Sequence, residues 1–395
     1  MTSPNLSESG LARLRDVVSA HVERGSVPGV TYAVSRRGER LVEAVGASAY
    51  ERPHAVSPET IFRISSMSKP VTAVATLILL EECVLRLDDP VEEFLPELAD
   101  RRVVKRIDGP TDETEPANRP ITVRDLLTFR MGFGAYFGPS PVNEAARSLD
   151  LAVGPPEPGL APEPDEWMRR FSTLPLMCHP GERWLYHTGA DILGVLVARA
   201  SGRTFPAFLA ERIFEPLGMK DTAFWVGPDK QGRMATSYLT NLETGLPELF
   251  DEPDGHWGRP PAFPGGGAGL VSTVTDYMSF AEMLLRGGAP ILSRPSVETM
   301  TTDQLTAQQK KISGFFPDDF DAKGFGFCVG VVTRRESPSA PVGQYGWDGG
   351  LGSIWRNDPA EQMALVLLSN VAWSSPRPPA IARDFLTAAY AAIDD

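Results

Sequence analysis

The stretch FRISSMSKPVTAVATLILLEE, residues 62–82, places three serines and a lysine directly before a long apolar run. A proline fits a helix only in its first turn, where the N–H that it lacks would have had no partner. Pro70 is followed by ten residues without a second proline. The pattern therefore predicts a mostly buried helix that begins near Ser66, with Lys69 on the same face as Ser66.

Two interpretations of Ser66 follow from this position. Serine is a common N-cap residue, so Ser66 could simply cap the helix. Alternatively, Ser66 and Lys69 form an S-x-x-K pair, in which the helix end supplies partial positive charge and the amine activates the hydroxyl. A four-residue match arises often by chance, so the rest of the chain has to decide.

The length predicts one large domain or two smaller ones, and the composition is ordinary for a soluble globular protein. Of 395 residues, 42% are hydrophobic and 23% are charged, and 38 basic against 51 acidic residues give a net charge of −13. A negative surface argues against nucleic acid or an anionic membrane as the main partner. The oligomeric state is left open.

The three cysteines, Cys83, Cys178 and Cys328, are far apart, and neither CxxC nor HExxH occurs. We therefore expect neither a disulfide framework nor a metal site. The N-terminus is polar and reads as an amphipathic helix, without a secretory apolar segment. No run reaches the roughly 18 apolar residues of a membrane span, so we expect a cytoplasmic protein.

Alternating apolar residues predict strands at both ends of the chain. Residues 27–50 form a hairpin pattern around Arg37-Gly38, and residues 324–335, 344–359 and 362–371 read as three further strands before a terminal helix at 378–393. Strands from both ends suggest a single sheet. We predict a discontinuous α/β domain over residues 1–95 and 260–395.

The middle of the chain, residues 96–259, is predicted to be mainly helical. Thr122 and Asp125 are spaced as a capping box, as are Thr273 and Asp276 further along the chain, and Gly202 follows an amphipathic stretch as a helix stop. Five prolines in residues 154–166 exclude a regular helix or a central strand. This segment is predicted to be a long surface loop and a candidate lid.

A serine nucleophile needs a base within hydrogen-bonding reach, and histidine is the usual one. The chain has five histidines and no G-x-S-x-G elbow, which argues against an α/β-hydrolase. His187 lies beside Tyr186 at a helix entrance, where a polar turn residue is the favoured interpretation. Tyr186 itself reads equally as a core aromatic with a satisfied hydroxyl.

Five blocks in order then make a family resemblance specific. They are SMSK (66–69), PGERWLYHTGADILG (180–194), FEPLGMKDTAF (214–224), GGAGLVSTVTDYMSFAEMLLRGG (266–288) and YGWDGGLGSIWRNDP (345–359). Together they resemble the serine β-lactamase and penicillin-binding-protein superfamily over roughly residues 10–390. The pattern is most similar to class C β-lactamases, D-alanyl-D-alanine carboxypeptidases and, above all, family VIII carboxylesterases. The resemblance implies an α+β fold, an α/β/α sandwich with an antiparallel sheet.

The resemblance also implies catalytic roles. Ser66 would be the acylated nucleophile, Lys69 its activator and Tyr186 the general base, with the backbone N–H groups of Ser66 and Gly350 as the oxyanion hole. A tyrosine is a poor base at neutral pH unless a nearby cation favours the phenolate. Because the sequence leaves the charge of Lys69 open, the three side chains are treated as one coupled unit. No cofactor is implied.

Two departures from the family pattern bear on the substrate. The Y-x-N element reads Tyr186-His187-Thr188, which removes an amide that would grip an acylamide substrate. The K-T-G element reads Trp347-Asp348-Gly349. The tryptophan removes a cation that would pair with a substrate carboxylate, and it resembles the W-x-G form of family VIII esterases. The predicted substrate-binding residues are His187, Thr188, Trp347, Asp348 and Gly349, together with the aromatic residues Phe133 and Tyr136.

Aromatic residues Phe133, Tyr136 and Phe137 either line the substrate pocket or pack a loop onto the core. The resulting prediction is a serine carboxylesterase for short-chain or small aromatic esters, with a small-molecule ester as its partner. The alternatives are an amidase, a weak β-lactamase or DD-peptidase-like enzyme, and an acyltransferase that uses the same acyl-enzyme. A penicillin-binding protein that acylates without turnover is the third possibility.

Overall fold

The structure is a computed structural model that describes residues 6–51, 54–151 and 156–394. Its strands are, in chain order, β1 Gly29–Arg36, β2 Glu39–Gly46, β3 Phe62–Arg63, β4 Arg102–Val104, β5 Thr114–Pro116, β6 Ser237–Thr240, β7 Pro247–Asp251, β8 Val271–Ser272, β9 Lys323–Phe325, β10 Gly330–Val332, β11 Tyr345–Gly349, β12 Ser353–Asp358 and β13 Met363–Ser369.

Seven of these strands form one antiparallel sheet in the order β2-β1-β13-β12-β11-β10-β9. The first two strands come from the beginning of the chain and the other five from its end, so the predicted sheet from both chain ends is confirmed. The two chain ends meet where β1 pairs with β13, with Val30 opposite Ser369 and Arg36 opposite Met363. The remaining strands make three two-stranded pairs, β3–β8, β4–β5 and β6–β7.

The C-terminal strands are more numerous than predicted. The segment 324–335 is not one strand, because Cys328 has φ +57° between β9 and β10. Likewise 344–359 is a hairpin, β11–β12, which turns at residues 350–352. The alternation of apolar residues hid both reversals, since each hairpin arm keeps the same period of two.

The helices are α1 Glu8–Glu23, α2 Ser68–Glu81, α3 Val123–Leu127, α4 Pro141–Ser148, α5 Pro164–Ser172, α6 Thr188–Ser201, α7 Phe205–Leu209, α8 Glu215–Leu217, α9 Val274–Leu285, α10 Arg294–Met300, α11 Ala307–Lys311 and α12 Ala380–Tyr390, with a π-helical segment, Ala210–Phe214, joining α7 to α8. Within the described ranges, no single helix is long and apolar enough to cross a membrane. In the same ranges, α6 and Phe205–Leu217 taken together are long and apolar enough, and that pair is bent by 81°.

Helices cover both faces of the sheet. Because side chains alternate along a strand, Val34 points to a cluster with α1 and α12, whereas its neighbour Ala33 points to the larger core. The larger core includes α2 and α9. This three-layer α/β/α arrangement confirms the predicted fold class.

Helix α2 is the buried helix that the sequence predicts. Every residue from Ser68 to Leu79 is buried, and Pro70 lies in the first turn, as expected. A 3₁₀ turn, Ser65–Met67, precedes the helix, so Ser66 lies just before its first residue. The apolar side chains around α2 belong to the larger core, which fixes this helix end against the sheet.

The predicted helix boundaries are largely confirmed. Thr122 and Asp125 form a complete capping box at α3, and Gly202 ends α6 with φ +67°. At α9, Thr273 accepts a hydrogen bond from the Asp276 N–H, but the Asp276 carboxylate accepts from the Asp221 N–H and the Thr222 hydroxyl instead. The second capping box is therefore only half formed.

The proline-rich segment 154–166 is partly helical, contrary to the prediction. Its residues 154 and 155 lie outside the described residues. Helix α5 begins at Pro164, because proline is compatible with the first position of a helix. The intervening residues 156–163 remain irregular and begin directly beside a cavity described below.

A buried ion pair connects the strand before Ser66 to the middle of the chain. Arg63 and Asp251 are 3% and 4% exposed, and Arg63 Nε donates to Asp251 Oδ2 at 2.8 Å. Asp251→Ala leaves the Arg63 charge uncompensated, and we expect it to lower the free energy of unfolding by about 3–5 kcal/mol in urea denaturation. Asp89→Ala, which breaks an exposed pair with Arg86, should leave that free energy nearly unchanged. Equal effects of the two variants would contradict the prediction.

Candidate active site

The sheet fixes the position of Ser66 at the N-terminus of α2. Ser66 is 8% exposed and follows Ser65, whose φ of +47° is uncommon for a residue with a side chain. The hydroxyl of Ser353 in β12 donates to the Ile64 carbonyl at 3.1 Å. Strand β12 thus fixes the backbone two residues before Ser66, and the strained turn at Ser65 comes directly before the nucleophile.

Lys69 is fully buried and lies directly beside Ser66. Its Nζ is 2.9 Å from Ser66 Oγ, 2.6 Å from the Gly267 carbonyl oxygen and 3.0 Å from His187 Nδ1. It also lies over the ring of Tyr186, 4.5 Å from the ring centroid. The amine therefore has three polar neighbours, as many as an ammonium group has protons.

The burial of Lys69 changes its protonation. Loss of hydration lowers the pKa of Lys69 from 10.5 to about 7, although the negative charge of Asp191 acts in the opposite direction. A substantial fraction of Lys69 is therefore the neutral amine at neutral pH, and a neutral amine beside a hydroxyl can accept its proton.

Tyr186 completes the trio that the sequence predicts. Hydrogen bonding joins its hydroxyl to Ser66, and Trp347 Nε1 donates to the same hydroxyl oxygen at 2.9 Å. Burial raises the pKa of Tyr186 above its ordinary value, more than these hydrogen bonds lower it. Tyr186 is consequently a neutral phenol at physiological pH, suited to donating a hydrogen bond.

His187 faces Lys69, which the sequence did not predict. Its Nε2 lies 3.1 Å from Asp191 Oδ2, and Asp191 Oδ1 accepts from the Gly267 N–H at 2.8 Å. Burial and the nearby Lys69 lower the pKa of His187, so the imidazole is neutral. Asp191 was missed, although its i,i+4 spacing from His187 at the start of a predicted helix was the available signal.

The two faces of β11 separate Trp347 from Asp348. Trp347 pairs with Trp355 on the face of the larger core, next to Tyr186. Asp348 pairs with Ile354 on the face of α1 and α12, and its carboxylate binds Arg356 in a bidentate ion pair. The structure therefore does not bring Asp348 to the site, because side chains alternate along a strand.

Gly349 and Gly350 lie at the end of β11 beside the nucleophile. A Cβ on Gly349 would come within 2.2 Å of the Ile64 carbonyl oxygen, so this strand approaches the backbone before Ser66 closely only because residue 349 is glycine. Gly350 follows directly, and its carbonyl accepts from the Trp373 N–H at 2.8 Å. The close approach makes the end of β11 one wall of the site.

The predicted aromatic lining is placed differently. Phe133 is 1% exposed and packs edge to face on Phe171 in the core, and Tyr136 lies under the guanidinium of Arg183. The rings around Tyr186 are instead those of Phe129, Trp184, Phe315 and Trp347. The packing interpretation of Phe133 is the one that the structure supports.

A cavity of 380 Å³ adjoins the site, and His187 is one of the residues that line it. Trp167 and Phe263 give it apolar walls, and Thr188 and Asp191 line it near the start of α6. Thr188 is 1% exposed, and the described residues offer its hydroxyl no hydrogen-bond partner. In these ranges there is also no group of three His, Cys, Asp or Glu side chains placed to hold a metal ion.

A serine and a buried lysine of lowered pKa at a helix end, beside an antiparallel sheet covered by helices, define a serine hydrolase of the transpeptidase-like fold. The family model described as Beta-lactamase matches residues 14–389. The chain therefore belongs to the beta-lactamase family.

The chain is also similar to individual proteins along almost its whole length. Protein Rv1367c of Mycobacterium tuberculosis (strain ATCC 25618 / H37Rv) is 35% identical over 90% of this chain and 88% of its own length. Esterase EstB of Burkholderia gladioli is 29% identical over 92% of this chain and 91% of its own. The solved structure of EstCE1, described as a hydrolase with promiscuous acyltransferase activity, has a TM-score of 0.79 at 23% identity and covers 97% of this chain and 99% of that chain.

The geometry predicts which serine is reactive. We expect a p-nitrophenyl alkylphosphonate to add one phosphonyl group to the wild-type protein, seen by intact mass, and none to Ser66→Ala. Ser68→Ala is the matched control: Ser68 Oγ donates to the Ser65 carbonyl at 2.7 Å and accepts from the Leu270 N–H at 3.0 Å, so it supports the turn. That variant should still be labelled. Labelling of Ser66→Ala would contradict the assignment.

Proposed function

We propose that the protein is a serine carboxylesterase that cleaves uncharged esters with a short-chain or small aromatic part through an acyl-enzyme on Ser66. The observation that carries this proposal is the contact between Trp347 Nε1 and the Tyr186 hydroxyl. A neutral indole packs against Tyr186, the hydrogen-bond partner of Ser66, and the carboxylate of Asp348 is turned away and paired with Arg356. An uncharged substrate fits such a wall.

Acylation begins with proton transfer from Ser66 to the neutral Lys69. Ser66 Oγ bonds to the ester carbonyl carbon, and the carbonyl oxygen becomes an oxyanion that accepts from the N–H groups of Ser66 and Gly350. Each such donor is worth on the order of 3 kcal/mol. As the bond to the alcohol oxygen breaks, Lys69 gives its proton to the leaving alkoxide and the alcohol departs.

Deacylation repeats these steps with water. A water molecule gives one proton to Lys69 while its oxygen bonds to the acyl carbon, and Ser66 Oγ leaves and takes the proton back from Lys69. Tyr186, whose oxygen already accepts from Trp347, donates to Ser66 Oγ and stabilises it when it is negative. In this proposal Lys69 takes the role of proton acceptor that the family resemblance implied for Tyr186, because burial favours the neutral amine and the neutral phenol.

Esters suit this machinery better than amides do. An alkoxide leaves more easily than an amine, so it asks less of the group that protonates it. The similarity to Esterase EstB, an esterase by name, supports the same chemistry. An alcohol can replace water as acceptor of the acyl group, and the promiscuous acyltransferase activity ascribed to EstCE1 is a reason to test for transfer.

The proposal predicts a substrate pattern. We expect turnover of p-nitrophenyl acetate and butyrate by wild type and by Ser68→Ala, and a loss of at least about 10³-fold in Ser66→Ala. A chromogenic cephalosporin, which carries a carboxylate, should open slowly or not at all. Fast opening of the cephalosporin would overturn the substrate assignment, and full activity of Ser66→Ala would overturn the mechanism. When methanol is added, formation of the methyl ester would show transfer of the acyl group to an alcohol.

The pH dependence identifies the base. Lys69 must lose its proton before it accepts that of Ser66, so kcat/KM should rise with pH through about 7 and level off above it. A tyrosinate base would instead place this rise well above pH 10, since burial raises the pKa of Tyr186. The measurement is kcat/KM for p-nitrophenyl butyrate from pH 5 to 9, corrected for uncatalysed hydrolysis. A rate independent of pH across this range contradicts the role of Lys69.

A further inference from the structure

We propose that His187 and Asp191 are positioning residues that direct the lone pair of Lys69 Nζ toward Ser66 Oγ. The inference rests on the proposed function, in which Lys69 accepts the serine proton. It assigns His187 a place behind the base, on the side away from the reacting bond, rather than contact with substrate.

The contacts of Lys69 do not by themselves show in which direction its lone pair points. A neutral amine has two protons and one lone pair, and its three polar neighbours are the Gly267 carbonyl, His187 and Ser66. The carbonyl only accepts, so it takes one N–H. Whether the second N–H points to His187 or to Ser66 depends on which nitrogen of the imidazole carries its proton.

Asp191 decides that tautomer. A carboxylate accepts hydrogen bonds only, so His187 Nε2, which lies 3.1 Å from Asp191 Oδ2, carries the proton. Nδ1 is then a lone-pair acceptor for the second N–H of Lys69 at 3.0 Å. The remaining direction, toward Ser66 Oγ at 2.9 Å, is left to the lone pair. The Gly267 N–H holds the carboxylate in place at 2.8 Å.

The backbone is adapted to this arrangement at two positions. His187 has φ +86°, which is rare for a residue with a Cβ and strained. A Cβ on Gly267 would lie 2.8 Å from Asp191 Oδ1 and 2.9 Å from His187 Nε2. A polar turn residue in solvent would require neither feature, whereas an imidazole held between Lys69 and Asp191 requires both.

The groups that face Lys69 come from three parts of the fold. His187 and Asp191 lie at the start of α6, Tyr186 lies just before it, and Cys328 lies between β9 and β10. Burial raises the pKa values of Tyr186 and Cys328 and lowers that of His187, so these three are neutral near pH 7. Asp191 is the charged member of the group, because its contact with His187, the charge of Lys69 and the Gly267 N–H together outweigh its burial and lower its pKa.

Asp191→Asn tests the proposal with little change in shape. If the amide oxygen accepts from the Gly267 N–H, the amide NH₂ faces His187 and imposes the other tautomer, whose Nδ1–H takes up the lone pair of Lys69. We expect the plateau of kcat for p-nitrophenyl butyrate to fall at least about tenfold with KM nearly unchanged. Without the negative charge of Asp191 the pKa of Lys69 should fall, so the rise of kcat with pH should move to lower pH.

Two further variants separate positioning from structural damage. His187→Gly suits the positive φ at this position and admits water, so it should lower the plateau and move the rise to higher pH. Asp276→Asn alters another buried carboxylate that accepts a backbone N–H, that of Asp221 at 2.7 Å, and should leave the pH of the rise unchanged. Thermal unfolding confirms that each variant is folded.

The outcomes are distinct. Opposite displacements of the pH rise in Asp191→Asn and His187→Gly support the proposal. An unchanged plateau of kcat overturns the proposal. A lower plateau with the rise still at the wild-type pH also overturns it, because loss of active protein lowers the rate at every pH without moving the profile. If the wild type hydrolyses no ester, the proposed function fails. The rate of phosphonate labelling of Ser66 against pH, in the same variants, then still tests the positioning of Lys69.

Discussion

The site depends on the burial of one amine. Lys69 is enclosed by the apolar core around α2, and the nearest carboxylate, Asp191, is separated from it by the His187 ring. Had Asp191 bound Lys69 directly, the ion pair would have kept the amine protonated. The neutral imidazole of His187 lies between Lys69 and Asp191 and gives Lys69 a hydrogen-bond acceptor. Desolvation therefore remains the dominant effect on the pKa of Lys69. The same burial keeps Tyr186 neutral, so both partners of Ser66 have the protonation states that the proposed chemistry needs.

The sheet holds the reacting groups in register. Ser353 and Gly349 fix the backbone at Ile64, just before the nucleophile, and Trp347 on the same β11–β12 hairpin binds Tyr186. Ser353 and Ile64 are 289 residues apart along the chain, and Trp347 and Tyr186 are 161 residues apart. The β11–β12 hairpin therefore positions both the serine and the phenol, and the residues next to them in the chain, Ser65 and His187, have positive φ.

Much of this could be predicted from the sequence, for a clear physical reason. The apolar run after Pro70, the alternating strands at both chain ends and the capping residues at Thr122 and Gly202 are local patterns, and local patterns determine local structure. The S-x-x-K spacing is equally local, because residues three apart share one face of a helix. The strand count failed at Cys328 and at residues 350–352, where a chain reversal leaves the alternation intact.

The sequence by itself determined the fold class, the buried helix α2 and the pairing of Ser66 with Lys69. Only the tertiary structure decided that His187 faces Lys69, that Asp348 turns away to Arg356, and that Phe133 packs on Phe171 whereas Phe315 packs on Tyr186. The direction of a side chain at a strand edge or a positive-φ turn depends on neighbours distant in the chain. Those neighbours are brought together only when the two ends of the chain close into one sheet.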